Sequence, residues 1–272
     1  MGSSPTPLQK LLARITPEMV WGGSTGKGIA VAVVDSGIEK AHPALSRCVK
    51  GGAVIREERS FSHGEKDWSE VRVLPYDGVD CSGHGTACAG IIAEIAPEAD
   101  LYSVRVLGEG GTGSMRALLA GVRWAIESGC RVVNLSLGTM NREHMAALHN
   151  LMDHAYFRDA VVVAAADNSG EESYPSSFSS VISVDFDHIT DKFRILYRPN
   201  GRIEFVAPGV MVEAPTLGGR KILHTGSSFA APHVSGIVAL ILAKNPELRP
   251  FEFKTVLHQI GTRNADTQKE KS

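Results

Sequence analysis

The stretch Gly226-Ser227-Ser228-Phe229-Ala230-Ala231-Pro232-His233-Val234-Ser235-Gly236 passes from a polar, glycine-led turn into an apolar run, Ile237-Val238-Ala239-Leu240-Ile241-Leu242-Ala243. Proline lacks the N–H that a helix interior needs and clashes with the preceding turn. Pro232 therefore predicts a helix that starts at or just after Ser228. A hydroxyl there sits at the positive end of a helix dipole, where developing negative charge is favoured. Taken alone, the stretch reads as an ordinary serine N-cap on a buried helix. Two upstream stretches change that reading.

In the first, Ile29-Ala30-Val31-Ala32-Val33-Val34-Asp35-Ser36-Gly37-Ile38, a continuous β-branched run has the character of a buried parallel strand and ends in an aspartate before a glycine turn. Functional side chains of α/β sheets collect at such carboxyl ends. In the second, Cys81-Ser82-Gly83-His84-Gly85-Thr86-Ala87-Cys88-Ala89-Gly90, a histidine stands between two glycines at the head of a small-residue helix. Small neighbours leave an imidazole room to be reached. Asp, His and Ser in that chain order, each at the mouth of a strand or helix, is one of the known arrangements of a nucleophilic triad.

With Val34-Asp35-Ser36-Gly37-Ile38, Gly83-His84-Gly85-Thr86 and Gly226-Ser227-Ser228-Phe229-Ala230-Ala231-Pro232-His233-Val234 in place, the chain resembles the subtilisin-like serine proteases, from about residue 21 to about residue 261. The resemblance implies an α/β fold in three layers, a mostly parallel central sheet flanked by helices. It implies catalytic roles for Asp35, His84 and Ser228. It also implies that Asn168, after the buried run Ala160-Val161-Val162-Val163-Ala164-Ala165-Ala166, donates to the oxyanion, where the bland alternative is a plain turn asparagine. By the same resemblance Gly111, Thr112 and Gly113 form an exposed edge that pairs with a substrate backbone. Ser136, Leu137 and Gly138 form the opposite wall, with Gly138 leaving room for the first side chain before the cut bond. Ser227, where the family usually has threonine, keeps a hydroxyl. Asp167, where the family usually has glycine, borders the pocket for that first side chain, with Glu171 and Glu172 close behind. Carboxylates in a cleft attract guanidinium and ammonium groups, so Arg or Lys is the expected preference, unless these acids point to solvent.

Other departures concern calcium. Relatives with a tight site show aspartate where Ala44 stands and interrupt the helix after the histidine with a loop. Here Ala89-Gly90-Ile91-Ile92-Ala93-Glu94-Ile95 runs on. Calcium takes six to eight oxygen ligands, so no cofactor and no tight metal site are expected, although a weak ion site elsewhere remains open.

The chain as a whole has 272 residues and a net charge of −2, which gives no strong field for nucleic acid or membrane. No apolar run approaches a transmembrane length. The partner is expected to be a protein or peptide substrate, and the chain a monomer. Residues 1–20 read as an N-terminal arm, 21–262 as the peptidase domain and 263–272 as a polar tail. Cys48, Cys81, Cys88 and Cys130 form no CxxC pair and no secretion signal is apparent, so free thiols in a cytoplasmic setting are expected. A secreted protein whose leader was removed is the competing reading. Residues 57–80 read as a polar surface insertion, with Asp67, Glu70, Asp77 and Asp80 able to form an acidic rim. Cys88, one turn after His84, shares a face with it and predicts inhibition by a bulky mercurial. Two other functions remain open beside general endopeptidase action: a maturation protease with one narrow substrate, and a pseudoprotease that binds peptides on the 111–113 edge without cutting them.

Overall fold

The computed structural model describes residues 6, 11–60 and 68–269. After a short helix α1 (Pro17–Trp21), capped by the Thr16 hydroxyl, the chain enters β1 (Ala30–Asp35). There follow β2 (Val49–Ser60), β3 (Trp68–Pro75), α2 (His84–Ile95) and β4 (Asp100–Arg105). Next come α3 (Met115–Glu127), β5 (Val132–Leu135), α4 (Met145–Phe157), β6 (Val161–Ala165) and β7 (Ile182–Asp187). The last part holds β8 (Leu196–Tyr197), β9 (Phe205–Pro208), β10 (Val212–Thr216), β11 (Arg220–His224), α5 (Ser227–Lys244) and α6 (Pro250–Lys269).

Nine strands form one sheet in the order β3-β2-β4-β1-β5-β6-β7-β9-β8. Its ladders are parallel except at the two ends, where β2–β3 and β8–β9 pair antiparallel. β10 and β11 make a separate hairpin. Alternation along β1 divides the core. Val31 and Val33 face a cluster with α2, α5 and α6, whereas Ala32 and Val34 face a cluster with α3 and α4. The result is helices, sheet, helices. Each fully buried aliphatic side chain stabilises it by roughly 1.5–3 kcal/mol. Asp35 continues the parity of Val31 and Val33, so its carboxylate emerges on the α2 side.

The fold corrects several expectations. Residues 57–60 and 68–75 belong to the antiparallel β2–β3 pair, not to a loop, because successive residues there pair in register from Ala53↔Pro75 to Ser60↔Trp68. Asp67 lies outside the described residues. The expected tail is helical to Lys269, so α6 crosses the boundary drawn at residue 262. In the N-terminal arm, Leu11 and Leu12 are helical, and residues 7–10 lie outside the described ones. One described helix, α5, is long and apolar enough to cross a membrane, but 83% of it is buried as the central core helix.

Candidate active site

Asp35 is wholly buried, at the carboxyl end of β1. Its two oxygens lie 2.8 and 2.9 Å from His84 Nδ1, and Oδ1 also accepts the Ser36 N–H at 2.7 Å. Nδ1 therefore carries the proton, and Nε2 presents a lone pair to the cleft. The glycines around the histidine permit close approach rather than free motion: a Cβ on Gly85 would meet the Gly37 carbonyl oxygen at 2.0 Å. With no side chain at Gly85, the start of α2 sits directly on the end of β1.

Asp80 was expected on an acidic rim. It is instead buried beneath the histidine. Its Oδ1 accepts from the Ser36 hydroxyl and the Ser82 and Gly83 N–H groups, at 2.7, 3.0 and 2.9 Å. Oδ2 accepts from the Thr86 N–H and hydroxyl at 2.8 and 2.6 Å. Gly83, at the N-cap of α2, has no side chain to cap the helix, and Asp80 does so. Glu70 lies 3.6 Å from Arg72 and Asp77 lies 2.5 Å from Arg105, so neither forms a free rim.

α5 begins at Ser227, one residue earlier than expected, and Pro232 lies in its second turn. Because Pro232 has no N–H, the Ser228 carbonyl loses its helical donor. It is taken up by the Ser136 hydroxyl at 2.8 Å and the Cys88 thiol at 3.4 Å. Behind it, the Ser136 hydroxyl accepts from Asn134 Nδ2 at 2.9 Å, and Asn134 Oδ1 accepts from the Ser235 hydroxyl at 2.8 Å. This relay positions the backbone at Ser228. Sequence reading missed it, although a proline four residues after a serine signals an orphaned carbonyl. The Ser228 hydroxyl itself donates to the Ser136 carbonyl at 3.0 Å.

Asn168 Oδ1 accepts the Ser227 N–H at 2.9 Å and lies 3.0 Å from the Ser227 hydroxyl. That hydroxyl is also 2.6 Å from the Ala166 carbonyl, so its one proton serves one acceptor at a time. With Oδ1 held, Nδ2 is the end of the amide left for the cleft. Gly226, with φ +145°, makes the sharp entry that brings Ser227 against Asn168.

Cys88 touches all three motifs, with Sγ 4.0 Å from Asp35 Oδ2 and 3.9 Å from His84 Nδ1 in addition to its bond to Ser228. Burial pushes its thiol up, so it is a neutral S–H at neutral pH. Burial would lower the His84 imidazole, but neighbouring groups outweigh it and raise the imidazole above its ordinary value. Of those neighbours, Cys88 is uncharged, which leaves the Asp35 carboxylate as the cause. Among the described residues, Asp35, His84 and Cys88 are the one cluster with metal-ligating atoms within 4.8 Å of each other. Two of them are already paired as carboxylate and imidazole.

Ser228 lines one cavity of the site and His84 another. One, of about 210 Å³, is lined by Ser136, Leu137, Gly138, Ala166, Asp167 and Asn168. Gly138 borders it, but a Cβ there would strike the Tyr174 carbonyl at 2.8 Å, so the glycine is required by that backbone contact. Glu171 and Glu172 do not line this cavity, because Glu172 is drawn to Arg142 and Arg202, at 2.7 and 3.1 Å. The other, of about 480 Å³, crosses His84 from Leu107 and Gly111 to His224 and Phe229. Gly111, Thr112 and Gly113 are exposed and line a third cavity of about 300 Å³ with Leu137 and Gly138. There the Thr112 carbonyl is held by the Gly108 N–H at 2.9 Å, and Gly113 is pressed against the Val106 carbonyl.

A mostly parallel α/β sheet carrying an aspartate–histidine pair beside a serine at a helix start defines the class of the triad hydrolases. The chain belongs to the subtilase family of serine endopeptidases, whose model matches residues 26–271. It is 35% identical over 251 residues to subtilisin Savinase of Lederbergia lenta, covering 88% of this chain and 86% of that protein. It is 36% identical over 239 residues to subtilisin E of Bacillus subtilis (strain 168), covering 82% and 58% respectively. The chain thus spans somewhat under two thirds of the length of several curated relatives, 58–60% for subtilisin E and M-protease. A cold-adapted subtilisin-like serine proteinase and sphericase share the fold, each with a TM-score of 0.68 and 24% identity. The former match covers 85% of this chain and 81% of the other, the latter 89% and 88%.

Proposed function

We propose that this domain hydrolyses internal peptide bonds through an acyl-enzyme at Ser228. The observation that carries the reading is the buried Asp35 carboxylate held at 2.8 and 2.9 Å against His84 Nδ1 beside Ser228. A backbone N–H of the bound peptide takes over the Ser136 carbonyl and frees the Ser228 hydroxyl to turn to His84. Ser228 Oγ attacks the scissile carbonyl while His84 Nε2 accepts its proton. Asp35 fixes the tautomer and stabilises the imidazolium that forms. Asn168 Nδ2 and the Ser228 N–H hold the oxyanion. His84 then returns the proton to the leaving amine, and water releases the acyl group by the reverse sequence.

The acyl-side cavity favours a basic first side chain. Asp167 is the one carboxylate among its lining residues. Hydrogen bonds from the Ser169 hydroxyl and backbone N–H hold its carboxyl below the usual value, so it is ionised at neutral pH. The reaction requires no tight calcium site. The cavity of about 750 Å³ at Ala44 offers two carboxylates, Glu94 and Glu213, and each has a lysine, Lys192 at 2.9 Å and Lys221 at 3.9 Å. That donor set does not fit an ion seeking six to eight oxygens. Kinship with the subtilisins favours the secreted over the cytoplasmic setting.

Digestion of an unbiased peptide library with EDTA present, followed by mass spectrometry, tests these points together. Cuts made by the native protein but not by Ser228→Ala, falling after Arg or Lys, are expected. Loss of the basic preference in Asp167→Gly is expected with it. Absence of Ser228-dependent cuts with or without added calcium would overturn the hydrolytic reading. Cuts after Leu or Phe that are unchanged in Asp167→Gly would remove the basic preference alone.

A further inference from the structure

The cavity over His84 holds a second imidazole that the triad does not use. His224, the last residue of β11, stacks on Phe229 with centroids 4.4 Å apart and planes 28° apart. Phe229 in turn leans on His84, with centroids 5.3 Å apart. His224 Nε2 is buried and has no hydrogen-bond partner. An unpaired buried polar atom costs about 1–3 kcal/mol, so a ligand group that pairs with it gains what the free protein forgoes.

The chemistry fixes which part of a peptide meets this nitrogen. Asn168 and the 210 Å³ cavity stand together on one side of Ser228, and the acyl part of the substrate lies there. The leaving amine collects its proton from His84 Nε2. Its residue therefore lies on the far flank of the imidazole, among Thr216, Ile222, His224 and Phe229, which line that end of the second cavity. The ionisable side chains lining the cavity are His84 and His224, with no carboxylate among its lining residues. Burial, and then repulsion from the charge that His84 carries when protonated, hold the His224 imidazole below its ordinary value. An anionic side chain at this place gives Nε2 a partner and favours the positive charge that forms on His84. A cationic one opposes both.

We propose that His224 is a specificity-determining residue on the leaving-group side of the cleft, selecting peptides with Asp or Glu immediately after the scissile bond. The proposal rests on the hydrolytic reading above, and deepens it by assigning a second subsite of opposite preference to Asp167. Together the two acidic and basic contacts select a basic–acidic pair across the cut bond.

The test uses three peptides that differ only after the scissile bond, with Glu, Gln or Lys there. They are assayed with the native protein, His224→Leu and His224→Gln, after each variant's unfolding midpoint has shown that it is folded. Native kcat/KM for Glu should exceed that for Lys by about tenfold or more, as a hydrogen bond to a charged group yields. The ratio should collapse towards one in His224→Leu and fall partway in His224→Gln, which keeps a donor. The same peptides are then bound to Ser228→Ala, with and without His224→Leu, by calorimetry. That arm reads His224 even where no turnover occurs, so a failure of hydrolysis and a failure of this proposal give different results. A native Glu-to-Lys ratio near one in both arms, or a ratio that survives His224→Leu, overturns it.

Discussion

Asp80→Asn should weaken both the fold and the active site, although Asp80 belongs to no recognised motif. The substitution keeps one oxygen for Ser36, Ser82 and Gly83 but places an amide NH₂ where Oδ2 receives the Thr86 N–H and hydroxyl, at 2.8 and 2.6 Å. The Thr86 hydroxyl can turn a lone pair to the new amide. The Thr86 backbone N–H cannot, and a buried donor left unpaired costs about 1–3 kcal/mol. Removing negative charge from the start of α2 costs roughly a further 0.3–1 kcal/mol. The remaining bonds lose their charge assistance, giving about 2–4 kcal/mol in all. For a chain of this size that lowers the unfolding midpoint by about 5–15 °C. Asp80 also ties Ser36, next to Asp35, to the turn that carries His84. At 25 °C, where the variant remains folded, kcat should fall about tenfold or more with KM little changed, because small misplacements of reacting groups are costly. Calorimetry and steady-state kinetics on one chromogenic peptide measure both effects. A midpoint within about 1 °C of the native value, together with native kcat, would falsify the reasoning.

Asn168→Ala should lower kcat by about 10²–10³ with little effect on KM, a magnitude for which subtilisin is the reference case. Ser227→Ala, which leaves the backbone N–H to hold Asn168, should cost severalfold less in the same assay. Because Asp35 holds the His84 imidazole up, kcat/KM should be lost as pH falls through a value above the ordinary imidazole pKa of about 6.5. In Asp35→Asn the acid limb should move to lower pH while turnover drops about 10⁴-fold; an unmoved limb would show that another group titrates. Cys88, buried and protonated, should resist iodoacetamide at neutral pH, yet a bulky mercurial should inhibit slowly. Cys88→Ala should escape that inhibition, and a variant that stays sensitive would place the thiol elsewhere.

Legibility followed the range of the interactions. Asp35, His84 and Ser228 stand at ends of a strand and of helices, and local patterns mark such ends, so the sequence alone pointed to all three, whereas the layered sheet was implied by the resemblance to the subtilisin-like proteases. Alternation in β1 even carries the side on which Asp35 emerges. Readings from local charge failed where a distant partner decides the outcome. Asp80 reads as one acid in a polar stretch, but donors at Ser36 and Thr86 bury it. Glu172 reads as a neighbour of Asp167, but Arg142 and Arg202 draw it away. Residues 57–60 and 68–75 read as a loop because one strand of an antiparallel pair gains its hydrogen bonds only from the other.

The sequence by itself determined which residue types stand at the ends of which elements, since backbone propensity and hydrophobic period act over a few residues. Only the tertiary structure decided how those ends are held. Pro232 could sit in the second turn of α5 because Ser136 and Cys88, from β5's end and α2, supply the donors that the Ser228 carbonyl lacks. His224 could come to flank His84 because Phe229 stacks between them. Both depend on groups far apart in the chain whose hydrogen bonds and ring contacts exist only once the layers close.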